Sequence, residues 1–210
     1  MALSEKRKQA KQRRKLAKRK KAIAVKSSPN GITAKALAAR YSRFPVREAV
    51  ATNTLEDQGI GNLFLSRVAP DGSIGVAVIL LDVYCLGVKD AFFTVFDSET
   101  DYEAFKAERI RRQPDAALDG YHPSCMRKLI EGAIGYARQL GFEPHPDYKK
   151  AAPMLGDIES AACPQRFEYG KDGMPFYISG PSDSQSRVRH ILAQLEKRCG
   201  EGKYRFLCTS

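Results

Sequence analysis

Residues 73–84 read SIGVAVILLDVY. The run is almost wholly apolar and hardly alternates. A strand with one solvated face alternates apolar and polar residues, so a strand without alternation is covered on both faces. Pro70-Asp71-Gly72 just ahead has turn chemistry, and Gly59–Val68 before it has strand composition. Val46–Asn53 and Ala91–Phe96 read as two further strands.

Outward from this sheet the period changes. Met126, Leu129, Ile130, Ala133, Ile134, Ala137 and Leu140 recur three and four residues apart. That spacing marks one buried face of a helix over Pro123–Leu140, with Pro123 suited to its first turn and Gly141 to its end. Ser184–Cys199 is a second amphipathic helix, with Val188, Ile191, Leu192 and Leu195 inward and Gly200 as its stop. Glu99–Arg112 is a charged surface helix, and Thr33 caps a short one over Ala34–Tyr41. Gln165–Tyr169 and Pro175–Ser179 flank Gly170-Lys171-Asp172-Gly173 and read as a second hairpin. Tyr204–Cys208 is a closing strand. The expected class is α+β: a mostly antiparallel sheet built from hairpins, packed against two or three amphipathic helices.

The 210 residues are 43% hydrophobic and 28% charged, ordinary values for a globular protein. No run of roughly 18 apolar residues occurs, so no membrane span is expected. Ala22–Val25 is too short for the apolar part of a secretory signal. Five cysteines without Cys-x-x-Cys spacing point to reduced thiols and a cytoplasmic protein. His122, Cys125 and Cys163 have some ligand character, but zinc sites declare themselves by paired short spacings, and ordinary half-buried thiols are the preferred reading. No cofactor is expected. The P-loop, Rossmann, nucleophile-elbow and zincin motifs are missing.

The net charge of +11 is unevenly placed. Lys6, Arg7, Lys8, Lys11, Arg13, Arg14, Lys15, Lys18, Arg19, Lys20 and Lys21 lie within residues 1–22, against one acid, Glu5. The remaining chain holds 24 basic and 23 acidic residues. Residues 1–31 therefore read as a basic, disordered arm and linker, and 32–210 as a single α+β domain. Like charges three and four apart oppose a helix in the arm until an anionic partner neutralises them. The arm holds no aromatic residue, so it meets phosphates rather than stacking on bases.

Three segments of the body could carry chemistry. Asp82 lies in the apolar strand, where a carboxylate must be hydrogen-bonded, paired or held for a reaction. Asp82 and Asp90 could share a divalent cation with Glu131 or Asp147, although no metal motif has this spacing; the preferred role for Asp82 is to pin a turn, with Lys89 paired to Asp90. His145, between Pro144 and Pro146 and two residues before Asp147, is stiffly placed for general acid or base work. Its plain alternative is a rigid loop after the helix. In ISGPSDSQSR, residues 178–187, the free N–H groups of a helix start with Ser182, Ser184 and Arg187 could hold a phosphate. Helix capping alone needs one of those hydroxyls.

LLDVYCLGVKDAFF, LIEGAIGYARQLGFEPHPDY and FEYGKDGMPFYISGPSDS, with the KDGMPFYISGP core of the last, together resemble a group of uncharacterised bacterial proteins, many of which also begin with a Lys/Arg-rich segment. The resemblance spans roughly residues 45–208. It implies a bacterial, cytoplasmic origin and one compact domain, and it brings no activity or catalytic residue.

The function expected is binding of nucleic acid, RNA or a ribonucleoprotein first and DNA second. The alternatives are a phosphodiester-acting, nuclease-like enzyme using Asp82, Asp90 and His145, which would then share one cleft, and a protein-interaction module. The oligomeric state is left open.

Overall fold

The computed structural model describes residues 32–112, 116–180 and 183–208. Helix α1 is Ala34–Tyr41, capped by the Thr33 hydroxyl on the Ala36 N–H. Strand β1 (Val46–Thr52) leads through the single turn α2 (Thr54–Gln58) to β2 (Ile60–Val68), β3 (Ile74–Asp82) and β4 (Gly87–Phe96). Helix α3 (Glu99–Ile110), the short β5 (Leu118–Gly120) and α4 (Pro123–Gln139) follow. The chain then runs through α5 (Tyr148–Ala151), two 3-10 turns, β6 (Phe176–Ile178), α6 (Gln185–Cys199) and β7 (Arg205–Leu207).

The main sheet has the order β4-β3-β2-β1-β5, and each of its pairings is antiparallel. The missing alternation in β3 now has its cause. Ile74, Val76 and Val78 join Phe64 and Tyr102 of α3 on one face. Ala77, Ile79 and Leu81 join Met126, Leu129, Ile130 and Ala133 of α4 on the other. The sheet is a middle layer, so both side-chain sets of β3 must be apolar. The face expected of α4 is the face it buries.

Two expectations need correction. Helix α3 is more than a charged surface helix. Its Tyr102 is fully buried, and its Lys106 is 9% exposed and bonded to Glu48 of β1 at 2.7 Å. The second hairpin does not form as a ladder. Lys171 and Met174 make a tight turn around Asp172 and Gly173, both at positive φ, but β6 pairs in parallel with β7 instead of with residues 165–169. An Asp-Gly turn satisfies its local geometry whether or not strands follow it. Gly59 closes α2 at φ +70°, and a Cβ there would sit within 2.1–2.3 Å of the Tyr84 ring. That glycine lets the β3–β4 turn fold back over the start of β2.

Candidate functional site

Strand β4 is an edge of the main sheet. Its register slips between the Leu80–Asp90 and Leu81–Val88 pairs, which leaves Lys89 as the extra residue of a bulge. The chain after α4 runs along this edge. The His145 N–H donates to the Val88 carbonyl at 2.9 Å, and the Tyr148 N–H donates to the His145 carbonyl at 2.8 Å. With Pro144 and Pro146 on either side, the imidazole is fixed beside β4.

His145 Nδ1 lies 3.7 Å from Asp90 Oδ1 and 3.9 Å from Asp147 Oδ2. One donor atom from each of the three side chains falls within 4.8 Å of the others. The Asp147 N–H donates to Nδ1 at 3.2 Å. Asp90 Oδ1 accepts the Ala91 N–H at 2.9 Å, and Asp147 Oδ1 accepts from Lys150 Nζ at 2.6 Å. Arg109, stacked over the rings of Phe92 and Phe105, lies close enough to interact with the Asp90 charge.

Asp82 serves a different end. It is 5% exposed, and its Oδ1 accepts the N–H groups of Tyr84 at 3.0 Å and Cys85 at 2.9 Å. It pins the turn into β4. It also lines a pocket of about 180 Å³ with Lys89, Tyr84, Phe176, Ser179 and Gly180. Burial pushes its pKa up, against the pull of the Lys89 ammonium and the turn's N–H groups. Asp82 and the start of the 179–187 loop thus share a pocket, while Asp90 and His145 meet outside it with Asp147. Glu131 bonds Arg127 at 2.7 Å and is not one of the three clustered groups.

At the head of α6, Ser184 caps the helix through the Arg187 N–H at 3.3 Å. Arg187 Nε pairs with Asp183 Oδ1 at 3.1 Å, and Asp183 Oδ2 accepts from the Gly180 N–H at 2.9 Å and the Tyr177 hydroxyl at 3.0 Å. Asp183 thus supplies an anion of the chain's own to the groups considered for phosphate. Ser182 and all eleven basic residues of the arm, Lys6 through Lys21, lie outside the described residues.

The cysteines depart from the reduced-thiol expectation. Cys125 and Cys163 form a disulfide with their Cα atoms 4.9 Å apart. The segment 156–163 wraps the first turns of α4, where Arg127 donates to the Gly156 and Ile158 carbonyls and Lys128 to the Cys163 carbonyl. Cys163 is no third ligand beside His122 and Cys125: the two sulfurs are bonded to each other, and His122 Nδ1 accepts the Ser124 N–H as the cap of α4. The pairing spans 38 residues, and no short motif announced it.

Compared with protein-family models, curated proteins and solved structures, the chain matches none.

Proposed function

We propose that this protein binds nucleic acid, RNA or a ribonucleoprotein ahead of DNA, with its basic arm on the phosphate backbone. The observation that carries the reading is the concentration of eleven basic residues against one acid within residues 1–22. Such a segment displaces condensed counterions from a polyanion and binds without reading bases.

The body supports the same reading in one place. Residues 32–112 hold ten basic and eleven acidic residues, and 116–180 hold seven and eight. Residues 183–208 hold six basic and three acidic, and α6 exposes Arg189, His190, Lys197 and Arg198. This outer face is the complement of the buried Ile191 and Leu195, and it can extend the arm's contact along a backbone.

The test compares the full chain with a chain lacking residues 1–22 on a structured RNA at low salt. Loss of retention by the truncated chain is expected; equal retention ends the proposal. Cytoplasmic placement belongs to the same reading and has its own check. The chain holds no described helix long and apolar enough to cross a membrane. In a reducing compartment, Cys125 and Cys163 should be alkylated as thiols when cells are quenched in acid. An oxidised pair under those conditions argues for another compartment.

A second reading, an enzyme acting on phosphodiesters, is favoured by the meeting of His145 with Asp90 and Asp147. There His145 is the acid or base and the carboxylates are its partners. It predicts turnover that H145A abolishes while RNA retention stays intact.

A further inference from the structure

We propose that Asp90, His145 and Asp147 form a binding site for a divalent transition-metal ion of the zinc, cobalt or manganese class. The inference stands apart from the nucleic-acid reading, because none of the three groups belongs to the arm or to α6.

The donor set sets the class. One imidazole nitrogen with two carboxylate oxygens suits borderline first-row ions, whereas calcium and magnesium favour oxygen alone. The distances suit it as well. Ligands about 2.1 Å from a tetrahedral ion stand about 3.4 Å apart. The Nδ1 atom lies 3.7 and 3.9 Å from its two carboxylate oxygens, a few tenths of an ångström beyond that spacing, and one donor atom from each of the three side chains lies within 4.8 Å of the others.

The electrostatics point the same way. Nδ1 accepts the Asp147 N–H and lies beside one oxygen of each carboxylate. At these separations the two carboxylates attract a cation placed among the three atoms, in addition to the Arg109 and Lys150 charges already beside them. The ion takes over the Nδ1 lone pair, releasing an N–H contact already long at 3.2 Å. Lys150 engages Asp147 through Oδ1, the oxygen other than the one nearest the imidazole, and so orients the carboxylate without occupying that place.

Each donor has its own anchor: the β4 bulge for Asp90, the Val88 carbonyl for the His145 backbone, and the start of α5 for Asp147. The three side chains are 31–34% exposed, which gives an ion access and leaves room for water at a fourth position.

The test uses the untagged full chain, stripped by chelator and then dialysed against zinc or cobalt. One equivalent per chain is expected, with affinity falling at least about tenfold in each of D90N, H145A and D147N. Glu143→Gln, an exposed acid of the same loop paired with Arg138, should bind like the parent chain. Bound cobalt should show no thiolate charge-transfer band, which separates this site from Cys85, Cys199 and Cys208. Far-UV circular dichroism checks that the variants fold. In the parent chain, zinc should move the His145 imidazole signals and suppress their titration by protons. The proposal is overturned if no ion is retained, if retention persists in all three variants, if a thiolate band appears, or if His145 titrates identically with and without zinc.

Discussion

Arg67 is 3% exposed on β2, yet each nitrogen of its guanidinium is engaged. It donates to the carbonyls of Phe44 at 2.6 Å, Met154 at 3.1 Å and Leu155 at 3.4 Å, and it reaches Asp157 at 3.4 Å. Burial lowers its pKa, and Asp157 offsets part of that. One side chain thus fastens the segment around residues 154–157 to the sheet. Arg67→Met strands these carbonyls, so a loss of about 1–3 kcal/mol is expected in urea unfolding; an unchanged midpoint would mean that water replaces the guanidinium. Glu48 controls a pH effect on the other face. Burial pushes its carboxyl up, but hydrogen bonds from Lys106 and Tyr102 and the charges of Lys106 and Arg47 outweigh this and hold it below the ordinary range. A folded value below the unfolded one gives stability that is present above about pH 4.3 and lost as pH falls through the folded value. Glu48→Gln should therefore flatten the acid limb of a stability profile measured in urea. Asp82 has the opposite sign. Its raised value makes the folded state hold the proton more tightly, so its contribution improves as pH falls toward the ordinary carboxylate value. Asp82→Asn, which keeps an oxygen for the turn's N–H groups, should remove that gain.

The disulfide is where one element depends most on a distant segment. Cys125 sits in the first turn of α4 and Cys163 closes the loop that wraps it. Both half-cystines are at most 4% exposed. A bridge across 38 residues restricts the unfolded chain, and its removal by reductant or by Cys125→Ser is expected to cost about 2–4 kcal/mol. Urea midpoints with and without reductant check this, and coincident curves would show that the pair adds nothing. The elements divide by how local their cause is. Helix α4 and strand β3 were legible because burial is written residue by residue, as a helical period in Met126–Ala137 and as an unbroken apolar run in Ile74–Leu81. The turn at Asp172-Gly173 was legible too, but not its strands, because β6 takes its partner from β7, beyond α6. The same limit applies to the candidate site. The Pro-His-Pro-Asp segment marked His145 as stiffly held, with Asp147 two residues on. Their meeting with Asp90 depends on the bulge in β4 and on which edge the loop follows, and no spacing in the chain encodes either. Cys125 and Cys163 were likewise invisible as a pair until α4 and its wrapping loop were in place.

For the molecule as a whole, the decisive quantity is where its positive charge lies. The excess sits in residues 1–22 and, more weakly, in 183–208, while the sheet and its two helix layers are close to balance. A polyanion that meets both regions loses one condensed counterion for each phosphate contacted, so log affinity falls linearly with log salt. If six to ten arm charges engage, affinity should drop by roughly three to five decades between 50 and 200 mM salt. The three apolar clusters use residues 37–204, so a chain lacking residues 1–22 is expected to keep its fold. Its salt slope then reports the body alone, and the difference between the two slopes counts the arm's contacts. Replacing Arg189, Lys197 or Arg198 by Ser should lower the slope of the full chain by about one each, with weakening that is uniform across nucleic-acid sequences. If truncation leaves the slope unchanged, binding belongs to the body and the arm is incidental. If the α6 variants alter preference among sequences rather than the slope, that helix reads bases. Two titrations across a salt series on one structured RNA and one scrambled RNA therefore assign the charge to its task, because backbone contact is the interaction that the two RNAs share.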